Sequence, residues 1–316
     1  MPSLADYQRL SQDELIVGIF DNIHTASELA PFLNFEGHSG NAFLVNREST
    51  LPTAAVTSVG ATLVDSTMAV SQTSRSLAQL YVQIPLNRFA LQTKGSVNDQ
   101  KAEHIAKMSK AMGRKLESLL ITGDPGTLAE EPEGLTSLLI ADQRMLMMDD
   151  GSQPSTITGS ETELSLDRLD AMIDLVEFGN PTFLMMNKTM RRKLTALSRA
   201  VGSGVLMDSI EVFGRQVQRY NGIPIVINDY ITNSETYENS GGWGSSTATT
   251  IYAIKTGKEN QGWTIMHNGP VLEPDLQDIG TKEDKNEDLY RMVVYLNATI
   301  FSKLTCAALA GIDSAA

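Results

Sequence analysis

The sequence predicts an α+β fold, and three patterns predict it. One long amphipathic helix stands out over residues 96–124. A helix, a buried strand and a second helix follow over residues 165–202. The stretch "EDLYRMVVYLNATIFSKL" then alternates, with Tyr290, Met292, Val294, Leu296, Ala298 and Ile300 on one face. With 316 residues, 41% of them hydrophobic and 20% charged, the chain is long enough for one large or two modest domains with a real core.

Residues 11–23, "SQDELIVGIFDNI", open with Ser11 and Glu14 spaced as a capping box. Leu15, Ile16, Ile19, Phe20 and Ile23 follow at helical spacing, so a short amphipathic helix is expected there. Residues 24–48 lose periodicity, as in an arm draped over other surfaces. Residues 49–76 are rich in Ser, Thr, Val and Ala, and residues 77–92, "LAQLYVQIPLNRFALQ", read as the strand returning from them. A hairpin so poor in large apolar side chains cannot build its own core, and isolated two-stranded ribbons are marginal in water. It needs a partner surface.

In residues 96–124, Ile105, Met108, Met112, Leu116 and Leu119 recur at steps of three and four. Ser96 with Asp99 is a capping pair, and Gly123 supplies the stop. At 1.5 Å per residue, about 24 residues make a rod of roughly 36 Å. Gly113 in its interior costs about 1 kcal/mol relative to Ala and points to close packing or a bend.

After the acidic turn "PGTLAEEPEG", Leu166, Leu169, Ile173 and Val176 form a helix behind Ser165 as N-cap, with Gly179 as stop. "PTFLMMN" is a buried strand. Met190, Leu194, Leu197 and Val201 form the next helix behind Asn187, with Gly202 as stop. Asn221 and Gly222 then suit a tight hairpin turn, because both tolerate positive φ. The strand Ile223–Ile227 follows, and Pro224 within it, lacking an N–H, predicts a sheet edge or a bulge. "ATTIYAIKTG" adds a further strand.

Several function classes are excluded. No run of eighteen apolar residues occurs, and "MPSLADYQRLSQDEL" lacks the basic start and apolar core of a signal peptide. The formal net charge of −13 argues against an outer surface that grips nucleic acid or anionic membrane. Cys306 is the single cysteine, set in apolar "KLTCAALAG", and reads as a small buried hydrophobe. Phosphate-loop, dinucleotide, zinc-protease, nucleophile-elbow and C-x-x-C motifs are all missing. His24, His38, His104 and His267 are scattered, none at metal-ligand spacing from another. Asp149 and Asp150 form an acidic turn without calcium-loop spacing. Lys188, Arg191, Arg192, Lys193 and Arg199 cluster on one helix, a pattern that could touch phosphate or acidic neighbours and that better suits a solvated face or ion pairs between subunits.

The order of these elements carries a resemblance. An arm containing "GNAFLVNRE", a charge-poor hairpin, a long helix ending in "LLITGD", "EGLTSLL", "PTFLMMNKTMRRKLTAL", and "FGRQVQRYNGIPIVINDYI" followed by "TIYAIKTG" together resemble the major capsid proteins of tailed bacteriophages. These share the Hong Kong 97-type fold with encapsulin shells. The resemblance implies an N-terminal arm over residues 1–50, an extension loop over 51–82 and a peripheral domain over 83–134 with a spine helix at 97–121. It further implies an axial domain over 135–262 and a return through the peripheral domain over 263–316, with the last strand a candidate for the axial one.

The function implied is that of a major capsid protein, assembling as hexamers and pentamers into an icosahedral shell around packaged double-stranded DNA, which it contacts non-specifically. An encapsulin-type compartment is the alternative, and an acidic α+β enzyme without a recognisable motif is a distant one. The resemblance implies no enzymatic activity, no catalytic, cofactor-binding or metal-binding residue, no cofactor and no membrane partner. Implied partners are other copies of the chain, a scaffolding protein, a portal protein and, as an option, a decoration protein. Assembly is expected in the host cytoplasm and residence in the virion. Only about ten residues precede the first expected helix, so scaffolding is expected from a separate protein or from a removed segment. Some relatives cross-link a Lys to an Asn on a neighbouring subunit. Lys94 is available here, but no motif positions it, and that chemistry is not carried over.

Overall fold

The computed structural model describes residues 29, 32–50, 52–60, 62, 65–89, 97–139, 144–146, 163–177, 179–200, 207–212, 215–235, 248–269 and 275–314. The expected helix over residues 11–23, the Ser96 cap, Lys94, the Asp149–Asp150 turn and Gly202 lie outside them.

The first sheet is organised by one long strand. β1 (Phe35–Gly37), β2 (Ala42–Thr50), β3 (Ala69–Ser76) and β4 (Ala78–Asn87) precede helix α1 (Val97–Thr122). Near the C-terminus, β11 (Trp263–Asn268), β12 (Asp275–Thr281) and β13 (Glu287–Ile300) follow one another. β13 pairs with β12 over its first half and with β11 over its second, both antiparallel, while β4 runs antiparallel along it from Glu287 to Leu296. β1 adds to β11 in parallel. Register places Leu80 opposite Val294, Val82 opposite Met292 and Trp263 opposite Ile300. One face of this sheet is therefore continuously apolar, and it packs against Ile105, Met108, Met112, Leu116 and Leu120 of α1.

The second sheet has seven strands. α2 (Leu135–Leu138), β5 (Arg144–Leu146), α3 (Leu166–Asp174), β6 (Phe183–Met186), α4 (Lys188–Ala200), β7 (Met207–Val212), β8 (Arg215–Tyr220), β9 (Ile223–Ile227), β10 (Ala248–Ile254) and β14 (Cys306–Asp313) supply it, in the order β5-β14-β10-β6-β9-β8-β7. Its central strands are buried on both faces, which is why they read as unbroken apolar runs. Leu184, Met186, Ile225, Ile251 and Leu309 face one layer, closed by Leu169, Met172 and Ile173 of α3 and Met190 and Leu194 of α4. Phe183, Met185, Val226, Tyr252, Ile254 and Ala308 face the other way and join the core under α1. Asn187 caps α4 as expected, its Oδ1 accepting from the Met190 N–H at 2.8 Å. Ser165 precedes α3 but makes no side-chain cap bond.

The close of α1 depends on two glycines. A Cβ on Gly123 would lie 2.3 Å from the Pro132 carbonyl oxygen, and one on Gly134 would lie 2.5 Å from the Gly123 nitrogen. The glycine that the sequence marks as a helix stop is there because two backbones cross, with the Gly134 N–H donating to the Gly123 carbonyl at 2.8 Å.

Three expectations are corrected. The end of the stretch expected to drape without periodicity, residues 42–48, lies in strand β2, which runs on to Thr50 and pairs with β3. Residues 78–87 do not return along that ribbon; they form β4 beside β13. The reason is the alternation of Leu80, Val82, Ile84 and Leu86, an apolar face that only a sheet backed by a helix can bury. Finally, β9 is not an edge strand, since β6 flanks it in parallel and β8 antiparallel. Asn221 (φ 47°) and Gly222 (φ 82°) do make the tight turn. In such a two-residue hairpin the second pair, here Arg219 opposite Pro224, exchanges no ladder bonds, so the missing N–H costs nothing towards β8.

Leu116, 7% exposed, is packed within the core under α1. Leu116→Asp requires a carboxylate to be desolvated or protonated there, at a cost of several kcal/mol against a stability of about 5–15 kcal/mol. The expected outcome is loss of soluble subunit. Normal yield from that variant, measured by gel filtration, would place the core face elsewhere.

Candidate functional site

The β2–β3 ribbon leaves the body as a sheet of two strands and no more. Nine residues of β2 span roughly 30 Å at about 3.4 Å each. Its base is buried: Phe43 and Val45 form a small cluster with Met266, against which Leu77 and Phe301 pack. Leu44, between Phe43 and Val45 on the opposite face, and Val70 and Met68 farther out are more than half exposed, and Val56 and Val59 near the tip are completely so. Residues 52–60 are all exposed. Apolar side chains of this size on a bare ribbon mark a surface that another chain covers.

Polar contacts fix the root. Arg75, 9% exposed, pairs with Glu133. Asn297, buried in β13, donates from Nδ2 to the Ser76 carbonyl at 2.7 Å, and its Oδ1 accepts from the Glu133 N–H at 2.9 Å. One side chain thus ties the end of β3, the loop after α1 and the central strand β13. Beside this root lies a cleft of about 370 Å³ between β4 and α1, lined by Leu80, Tyr81, Leu119, Leu128 and Leu296. Lys115 and Glu131 stand over it, 3.7 Å apart.

The residues weighed for chemistry are dispersed. The His38 ring donates to the Ala42 carbonyl at 3.0 Å, and the His267 ring donates to the Gly269 carbonyl at 2.6 Å. His104 lies on α1, and no group of three or more His, Cys, Asp or Glu side chains suited to a metal exists among the described residues. Cys306 is fully buried, and burial pushes its thiol up to about 11. On α4, Lys188 pairs with Asp229 at 2.6 Å, and Lys193 donates to the Asp313 carbonyl at 2.6 Å. Arg192 and Arg199 are exposed. The anchoring residues Arg75, Glu133 and Asn297 carried no signal in sequence: they are 222 positions apart at the extremes and belong to no motif.

The model of the Phage capsid family matches residues 10–263. The chain belongs to that family. No curated protein sequence matches it. Among solved structures, the holo-SrpI encapsulin complex from Synechococcus elongatus superposes with a TM-score of 0.68 at 16% identity, covering 91% of this chain and 88% of that one. The cyanophage A-1(L) capsid gives 0.64 at 12%, covering 90% and 92%. The capsid of a native GTA particle gives 0.61 at 15%, covering 91% and 90%. At these identities the likeness establishes the fold, which is the Hong Kong 97-type fold. As a member of that family, the chain is a structural capsid component. No helix among the described residues is long and apolar enough to cross a membrane.

Two outcomes follow from this geometry. In the isolated capsid subunit, the amides of residues 52–60 and 69–74 are expected to exchange with solvent quickly, and in assembled shells slowly, measured by hydrogen exchange with mass spectrometry. Strong protection of the ribbon in the monomer contradicts its need for a neighbour. The second outcome concerns the thiol. A thiol raised to about 11 stays protonated below that pH, so at pH 8 Cys306 offers almost no thiolate. A disulfide reagent at pH 8 is expected to titrate no thiol in the native subunit and one per chain after unfolding.

Proposed function

We propose that this chain is the major shell subunit of a tailed phage, assembling as hexamers and pentamers into an icosahedral shell around packaged double-stranded DNA. The observation that carries the proposal is the ribbon: a long two-stranded projection, poor in large apolar side chains and exposing most of those it has, on a chain of the phage capsid family. A neighbouring copy supplies the surface that the ribbon lacks. In this reading the β2–β3 ribbon is the extension loop, and α1 with the five-stranded sheet is the peripheral domain. The seven-stranded sheet with α3 and α4 is the axial domain, packed around the capsomer axis. DNA is contained without sequence recognition, in keeping with a net charge of −13. A separate scaffolding protein, a portal protein and, as an option, a decoration protein complete the assembly, which takes place in the host cytoplasm.

A second reading has a specific observation behind it. The superposition on the SrpI encapsulin, at a TM-score of 0.68, is at least as good as those on the phage capsids, so the shared fold supports an encapsulin-type shell equally. Purification of particles from the native source, followed by electron microscopy and nucleic-acid analysis, tests both readings. Closed shells with a portal at one vertex and double-stranded DNA inside are expected. Shells holding a co-purifying protein and no DNA would assign the chain to the encapsulin reading, and chains that never close into shells would overturn both.

A further inference from the structure

Two helices on the same layer of the seven-stranded sheet carry stripes of opposite charge. Along and beside α3, Glu163, Asp167, Asp170, Asp174 and Glu177 recur at steps of four, three, four and three residues, and all five are exposed. This spacing puts them on one face, opposite the buried Leu169, Met172 and Ile173. On α4, Lys188, Arg192 and Arg199 form an exposed stripe opposite the buried Met190 and Leu194. The helix "KTMRRKLTALSRA" has five basic residues and no acidic one, in a chain whose net charge is −13.

No ion pair joins the two helices among the described residues. The Tyr220 hydroxyl donates to Asp170 at 2.8 Å, and Lys188 is held by Asp229, so each stripe is partly met within the chain. Asp167, Asp174 and Glu177 on one side, and Arg192 and Arg199 on the other, are presented to solvent.

We propose that the α3 stripe of one copy docks against the α4 stripe of a second copy, in a face-to-face contact between the two chains. The inference rests on the shell reading and names one contact between copies of the chain. Complementarity selects a second copy as the occupant. Opposite stripes on one layer of one chain satisfy each other when two copies meet face to face about a two-fold axis, an isologous contact in which each stripe meets its complement. Duplex DNA fits less well, because its phosphates would meet the acidic stripe of α3 on the same layer as the basic one. Between chains that repel one another through net charge, such local pairs fix orientation and suppress wrong approaches.

The test uses full-length chains followed by light scattering and electron microscopy. One variant carries Asp167→Lys, Asp174→Lys and Glu177→Lys, and another carries Arg192→Glu and Arg199→Glu. Each alone brings like charges together, and each is expected to raise the critical concentration for assembly at least about tenfold. Mixed in equal amounts, the two variants restore opposite charges at every contact between unlike copies and are expected to assemble together. If a reversed chain fails to fold by circular dichroism, Asp→Asn, Glu→Gln and Arg→Gln substitutions at the same positions replace it, with a rise in the same direction by a smaller factor.

Reversed variants that assemble at the unaltered concentration would overturn the inference while leaving the shell reading intact. So would a mixture that stays as inert as its components, because the stripes would then act within one chain. Normal shells of the basic-to-acidic variant with a reduced nucleic-acid content would assign the α4 stripe to DNA and also overturn it. An unaltered chain that forms no shell under any condition would remove the shell reading itself, a result distinguishable from the others.

Discussion

The apolar face of α1 is the constraint on which the rest of the protein depends. Ile105, Met108, Met112, Leu116 and Leu120 serve two sheets at once: the inner face of the five-stranded sheet through β13 and β4, and one face of the seven-stranded sheet through Phe183, Tyr252 and Ala308. A helix buried against two sheets fixes their mutual position, because close-packed interiors do not deform continuously. A buried polar contact adds direction to this packing. Asn228, at the end of β9, donates to Glu117 of α1 at 2.7 Å, and both side chains are almost fully buried. Removing either would take a buried hydrogen-bond partner from the other, so the pair specifies one seating of helix on sheet more than it adds stability.

That rigid body leaves the ribbon as the part whose energy is not balanced within the chain. Its base is held by Phe43, Val45 and the polar contacts of Arg75, Glu133 and Asn297, which set the direction in which it leaves. Past that point it exposes apolar side chains on a sheet two strands wide, which is marginal by itself in water. The body gives a fixed geometry and the ribbon an unsatisfied surface, a division suited to association with further copies. What the protein does is carried by faces, and the described residues hold no cluster of groups arranged for metal chemistry.

Much of the body was legible in the sequence because its signals are local. The three- and four-residue steps of α1, the buried run of β6, the Asn187 cap and the Asn221–Gly222 turn each follow from a few neighbouring residues, and the structure contains all of them. The errors concern pairing. Residues 77–92 read as the strand returning along the hairpin because they follow it, yet β4 pairs with β13, some 200 residues away. Pro224 suggested a sheet edge because it lacks an N–H, but the hairpin register puts it at a pair that exchanges no bonds with β8. Gly123 was legible as a helix stop, while its reason, the crossing with Gly134, was not.

By itself, then, the sequence determined the class of the fold, the identity of its main helix, the absence of any recognisable catalytic or metal-binding motif and, through the order of its segments, the resemblance to phage capsid proteins. These follow from periodicity, capping and composition, which act over a few residues at a time. Only the tertiary structure decided which strands pair, that Asn297, Arg75 and Glu133 meet at the root of the ribbon, and that opposite charges on α3 and α4 share one layer. Those depend on contacts between residues tens to hundreds of positions apart. Nothing in a local pattern marks such partners until burial of the apolar faces has brought the elements together.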